Sequence, residues 1–291
     1  KSEITSTPSA HRIKDPYSQW LAFSSDGQTL ASDHSERRTF TLIDTTTGRV
    51  RSEVTKPSSM GKTLLTAIPA NQSMLYVVHS RGVELFRLPS GERLGGIPFS
   101  DTEAKLAAIA DNGRYLAAAA ADGAVTLFDA TTGDRIGQLE KQPQPIRSLA
   151  IAPDGSELAM IVSAEQKQDP ALLKQFALPE LKELSCRSVD PRTWTVQYAP
   201  NGKLLAVQED DNILIRERKT GRRLAILRDV AVGQFTHDSR FYAAEPYRSR
   251  GKEKPIQLFS TANGQAVHEL RKHNSTNYSP QQGRLTISPD G

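Results

Sequence analysis

Cysteine is almost missing from this sequence. Cys186 is the only one among 291 residues. One thiol cannot close an internal disulfide, and no Cys-x-x-Cys pattern can form. A zinc ribbon and covalent haem attachment are thereby excluded, while the compartment stays undecided. Long hydrophobic runs are missing too. The longest apolar stretch is 115–121, ended by Asp122. This is far short of the roughly 18 apolar residues that span a bilayer, so no membrane insertion is predicted. Neither sign of charge dominates, with 37 basic against 33 acidic residues and a net charge of +4. That balance reads as a mixed surface, and a nucleic-acid partner is not expected. The chain opens on Lys1 without a leader-like apolar core. It therefore reads as a processed form or as the ordered part of something longer.

What the chain has in quantity is turn residues, with 19 Gly and 17 Pro. They punctuate a repeat. A short apolar run leads into a turn of the form small–Pro-or-other–Asp/Asn–Gly. The clearest copies are Phe23-Ser24-Ser25-Asp26-Gly27, Ile109-Ala110-Asp111-Asn112-Gly113, Ile151-Ala152-Pro153-Asp154-Gly155, Tyr198-Ala199-Pro200-Asn201-Gly202 and Ile287-Ser288-Pro289-Asp290-Gly291. Ile68-Pro69-Ala70-Asn71-Gln72 and Phe235-Thr236-His237-Asp238-Ser239 are degraded copies. The Asp/Asn positions are 26, 71, 112, 154, 201, 238 and 290, a beat of about forty residues.

An apolar pair follows each of the first six turns: Leu30-Ala31, Leu75-Tyr76, Leu116-Ala117, Leu158-Ala159, Leu205-Ala206 and Tyr242-Ala243. A second turn comes further on, as in Leu42-Ile43-Asp44-Thr45-Thr46-Thr47-Gly48 and Leu127-Phe128-Asp129-Ala130-Thr131-Thr132-Gly133. Each unit reads as strand a, Asp-Gly turn, strand b, loop, strand c, Thr-Gly turn, strand d. Four antiparallel strands packed radially make a blade. The fold class is therefore an all-β propeller of four-stranded antiparallel blades, with seven blades expected, the last incomplete, and six as the alternative. The domain spans 19–291. Segment 1–18 is a candidate closing strand for the last blade, and the native polypeptide is expected to continue past Gly291.

These segments resemble WD40-type and YVTN-type propeller repeats. The Ser-Pro-Asp-Gly turn, the Leu-Ala pair and the Leu-Phe/Ile-Asp to Thr-Gly string carry the likeness. No unit has Gly-His before strand a, and none ends strand c in Trp-Asp. The His–Ser/Thr–Trp network of WD40 repeats is therefore not expected, and a degenerate WD40-like repeat is the better description. The resemblance implies a non-catalytic interaction scaffold, one that can serve as a domain of a larger protein. Its partner would be a protein, with an acidic one favoured by the basic residues of the b–c loops. Those residues are Arg37, Arg38 and Arg81, and then Arg248, Arg250, Lys252 and Lys254 around Tyr247 in a long loop. No cofactor, metal or catalytic residue is assigned.

The alternative is a lactonase-like or quinoprotein-like propeller with its site at the central channel. By loop position, His34, His79, Asp122 and Asp211 are its candidates. The six histidines show no His-x-His or His-Glu-x-x-His spacing and read as surface residues. Ser59-Met60-Gly61-Lys62-Thr63 ends like a phosphate loop, but Lys56 stands where its first glycine should be. The cluster Arg216, Arg218, Lys219, Arg222 and Arg223 reads as a solvated hairpin. Trp20 and Trp194, both at the start of a strand a, read as packing residues.

Overall fold

The computed structural model describes residues 18–34, 38–70, 73–99, 103–246, 255–270 and 286–289. They form six four-stranded antiparallel sheets, each a meander of consecutive strands. Blade 1 holds β1 (Ser18–Phe23), β2 (Thr29–His34), β3 (Thr39–Asp44) and β4 (Val50–Thr55). Blade 2 holds β5 (Thr63–Ala67), β6 (Met74–His79), β7 (Gly82–Arg87) and β8 (Arg93–Pro98). Blade 3 holds β9 (Ala104–Ile109), β10 (Tyr115–Ala120), β11 (Val125–Asp129) and β12 (Arg135–Leu139). Blade 4 holds β13 (Ile146–Ile151), β14 (Glu157–Val162), β15 (Ala171–Ala177) and β16 (Lys182–Val189). Blade 5 holds β17 (Thr193–Tyr198), β18 (Leu204–Glu209), β19 (Asn212–Glu217) and β20 (Arg223–Leu227). Blade 6 holds β21 (Val230–Phe235), β22 (Phe241–Pro246), β23 (Ile256–Ser260) and β24 (Ala266–Leu270). The fold is a β-propeller with six complete blades, the alternative to the seven expected. Of the seventh repeat only 286–289 is described. Segment 1–17, the body of the candidate closing strand, lies outside the described residues.

The Leu-Ala pairs show why the blades stack. All six pairs are buried, none more than 7% exposed. Successive residues of a strand point to opposite faces. Leu116 accordingly packs towards blade 2 and Ala117 towards blade 4. Leu158 meets blade 3, and Ala159 meets blade 5. Five apolar clusters result, one for each consecutive pair of blades from 1 to 6. Aromatic rings pack edge-on in the first and last of these interfaces, Phe40 against Phe86 at 4.6 Å and Phe235 against Tyr242 at 4.9 Å.

The Asp/Asn turn joins strands a and b, as expected, through a side-chain cap followed by a residue at positive φ. Asp26 keeps an ordinary φ, and the positive φ falls on Gly27 at 68°. The carboxylate accepts the Gln28 N–H at 2.9 Å. Asn112, Asp154, Asn201 and Asp238 each cap the N–H two residues on in the same way. In blade 6, Ser239 takes the glycine position at φ 61°. In blade 4, Leu181 at φ 56° closes the second turn, where no Thr-Gly marks it.

Bulges recur at both margins of the blades. Strand a slips register after its first residue in blades 1 to 5, which displaces Gln19, Leu64, Lys105, Arg147 and Trp194. The outer strand d slips in every blade. Leu94, Ile136, Leu184 and Val267 stand at those outer slips and are exposed. Such bulges bend the free edge and discourage strand pairing between molecules.

Candidate functional site: the two ends of the central channel

The innermost strands β1, β5, β9, β13, β17 and β21 surround a cavity of about 430 Å³. Most of its lining residues are apolar, but polar atoms make up as much of the accessible wall as apolar ones do. One end is rimmed by the residue that precedes the Asp/Asn of each turn. These are Ser25, Ala70, Asp111, Pro153, Pro200, His237 and Pro289, so all seven repeats contribute to the rim. Pro289 belongs to the short 286–289 segment, whose Thr286 and Ile287 also line the cavity. Neighbouring turns are tied together: the Ala70 N–H donates to Asp111 O at 2.6 Å, and the Asn112 N–H to Pro153 O at 3.1 Å.

Two rim positions are ionisable. Asp111 is exposed at the channel mouth. Separation from bulk water raises its carboxyl pKa, and His237 of blade 6 opposes the rise. His237 is exposed, as expected of the histidines as a group, and Asp111 does not stand out in its own turn. The one sequence signal is that both depart from the Ser, Ala or Pro of the other five copies.

The opposite end carries the b–c and d–a connections. Trp194 stands there at the bulge of β17, with 54% of its surface exposed. Arg147, at the matching bulge of β13, lies over the indole at 4.7 Å. The guanidinium is fixed by bonds to Ser163 Oγ (2.9 Å), Pro191 O (2.6 Å) and Thr193 O (2.9 Å). The packing expected of Trp194 therefore holds for the ring face that meets Arg147, while the rest of the indole is exposed. Trp20 is half-buried, and its register partner Asp33 matches Gln208, the partner of Thr195, so the two tryptophans are one position out of step.

The basic residues expected to bind a partner lie on this end where they are described. Arg38 is exposed and donates to Pro57 O at 3.0 Å. Arg81 is exposed 3.7 Å from Glu103. Arg37, Tyr247, Arg248, Arg250, Lys252 and Lys254 lie outside the described residues.

The channel candidates of the alternative reading are not brought together. His34 and His79 end strand b of adjacent blades, as their spacing implies. Both are buried rather than on the surface (6% and 4% exposed), and neither lines the cavity. The reason is that strand b runs through them before the loop begins. His34 Nε2 meets Thr41 Oγ1 at 3.0 Å. Asp122 pairs with Lys141 at 2.5 Å on the surface, and Asp211 O accepts the Val230 N–H at 2.9 Å. Among the described residues, no three His, Cys, Asp or Glu side chains cluster as a metal site.

His79 Nδ1 accepts the Gly61 and Arg81 N–H groups, both at 3.2 Å, which places the ring proton on Nε2. Burial lowers its pKa below 6.5, with Glu84 opposing. The folded chain thus favours neutral imidazole. That contribution to stability is complete above the unfolded value and is lost as pH falls through the folded one. Urea midpoints at about pH 7.5 and about pH 5.5 should differ, and His79→Gln should shrink the difference. An unchanged difference would show that His79 carries none of it.

The basic cluster on the turn end is only partly solvated. Arg218 reaches from blade 5 into blade 4, with 9% of its side chain exposed. It donates to Glu157 Oε2 at 2.8 Å, to Ser156 Oγ at 2.5 Å and to Gly202 O at 3.1 Å. Tyr198 OH donates to the same Glu157 oxygen at 3.2 Å. Burial, reinforced by that carboxylate, holds the phenol well above its ordinary range.

No family model matches the chain, and no curated protein sequence does. Solved structures match its fold. A chain of the mitotic checkpoint complex superposes with a TM-score of 0.68 at 16% identity, covering 94% of this chain and 88% of that one. A chain of Kuenenia stuttgartiensis hydrazine synthase superposes at 0.64 with 17% identity, covering 88% and 80%. At such identities the likeness shows the fold alone.

Proposed function

We propose that the chain is a protein-interaction scaffold whose partner docks on the b–c and d–a end, at Trp194. The observation that carries this reading is the exposed indole held against a fixed Arg147. Tryptophan and arginine are the residues on which binding energy most often concentrates. Here the arginine is immobilised in advance, so little side-chain freedom remains to be lost on association. Arg38 and Arg81 stand on the same end, and from their sequence positions between strands b and c we add Arg37 of blade 1, and Tyr247, Arg248, Arg250, Lys252 and Lys254 of blade 6, to a proposed surface for an acidic partner. One structural neighbour is titled as a complex, which agrees with a propeller working inside an assembly.

The test is quantitative capture from a lysate on immobilised chain, comparing wild type with Trp194→Ala, the double variant Arg248→Glu/Arg250→Glu and the outer-strand control Leu184→Ala. Proteins held by wild type and by the control should fall by about tenfold or more with Trp194→Ala, the loss typical of a hot spot. The charge reversal should weaken capture as well. Equal capture by Trp194→Ala and wild type would remove this end as the docking surface, and retention of no protein would remove the scaffold reading.

A further inference from the structure

The turn-side rim is chemically unlike the end that carries Trp194. Five of its seven equivalent positions are Ser, Ala or Pro, and two are Asp111 and His237. The rim needs neither side chain. In the other copies the conformation is set by the Asp/Asn cap and the residue at positive φ, with no contribution from the position before them. Asp111 uses its backbone to bond a neighbouring turn, and its carboxylate accepts no hydrogen bond from a described residue. The capping carboxylates Asp26, Asp154 and Asp238 are bonded within their own turns. The nearby arginines are engaged as well, Arg218 with Glu157 and Arg240 with Asp238. Asp111 is thus an uncommitted acceptor at a mouth with an excess of carboxylates.

Behind it apolar side chains, Phe23, Ile68, Ile109, Ile151 and Phe235 among them, alternate with polar groups along the channel wall. Two polar atoms on the lining strands, Thr66 Oγ1 and Gln234 Oε1, are buried without a hydrogen-bond partner among the described residues. An apolar recess with a few converging polar groups is the usual form of a small-molecule site, and about 430 Å³ lies within the usual size range.

We propose that this mouth binds a small organic amine, its ammonium held by Asp111 and oriented by His237, its apolar body seated in the channel. Charge sets the class. An anion would face the carboxylates, whereas a cation gains Asp111 and leaves the turn caps undisturbed. The site is at the far end from the proposed docking surface, so it stands or falls independently of the scaffold reading.

Isothermal titration of the full chain with n-hexylamine, sodium hexanoate and an acetylated, amidated lysine tripeptide tests the proposal. Hexylamine should bind saturably at one site. Asp111→Asn should weaken it by about tenfold or more, and His237→Gln by a smaller factor. Hexanoate should not bind. Asp111 is exposed and makes no side-chain bond, so the variant should fold, and far-ultraviolet circular dichroism checks this. Absence of saturable hexylamine binding, indifference to Asp111→Asn, or equal binding of hexanoate would each overturn the proposal. A lysine tripeptide that binds more tightly than hexylamine would overturn it too, by making the mouth a peptide site.

Discussion

Lys56→Ala should destabilise the propeller by about 3–5 kcal/mol, the cost of stranding one member of a buried ion pair. Lys56 follows strand d of blade 1, and its ammonium is paired with Asp33 in the same blade. The two side chains are 6% and 1% exposed. Lys56 also donates to Thr63 Oγ1 at 3.2 Å, at the start of blade 2. One side chain therefore joins the middle of blade 1 to the innermost strand of its neighbour. Without the lysine, Asp33 would be a carboxylate out of water, and its Oδ2 already has no hydrogen-bond partner among the described residues. A pair this deep escapes solvent screening, so the full range applies. The double replacement Lys56→Met/Asp33→Leu removes both charges and should restore most of the loss. Urea midpoints of the two single variants and the double one measure this. If Lys56→Ala cost under about 1 kcal/mol, neither the buried pair within blade 1 nor the Lys56–Thr63 tie to blade 2 would contribute as described.

Arg218→Ala should cost about 2–3 kcal/mol. The figure is lower because Glu157 keeps 18% of its side chain in solvent and can recover some hydration. The variant leaves Glu157 against the Tyr198 hydroxyl and Gln175, and breaks the blade 4 to blade 5 link at Glu157 and Ser156 together with the bond to Gly202 within blade 5. Arg218→Lys should recover only part, since an ammonium cannot reach Glu157, Ser156 and Gly202 with one planar fork. Full recovery by lysine would mean that charge alone matters and that the fork geometry contributes nothing.

Both positions show what a sequence can and cannot display. The blades were legible because their signals are local. The Asp-Gly turn, the Leu-Ala alternation and the Thr-Gly turn each follow from the chemistry of a few adjacent residues, and they recur. Leu181 in the left-handed region was not legible, because tertiary packing imposes that conformation on a residue that does not favour it. Lys56 drew notice only as the residue that spoils a phosphate loop. Its partner Asp33 is 23 residues away, and their contact depends on how strand d returns to the next blade. Arg218 was lost in a run of basic residues whose composition suggests solvent.

The candidate sites were less legible than the fold. Trp194 could be placed at the start of strand a, but exposure turns on a one-residue bulge that alternation does not reveal. His34 and His79 were correctly matched across blades and wrongly assigned to loops, because strand b extends through them. Asp111 left a trace only in comparison with the other six turns. The rim is built by gathering one residue from each repeat, so no single stretch of sequence contains it.

The claim most open to a direct check is that Trp194 presents its indole to solvent at the docking end. The chain has two tryptophans, so Trp20→Phe leaves Trp194 as the only one. Its emission should be red-shifted and readily quenched by acrylamide in the free chain, then shift to the blue when a captured partner is added. Blue-shifted emission that resists acrylamide in the free chain would contradict the account.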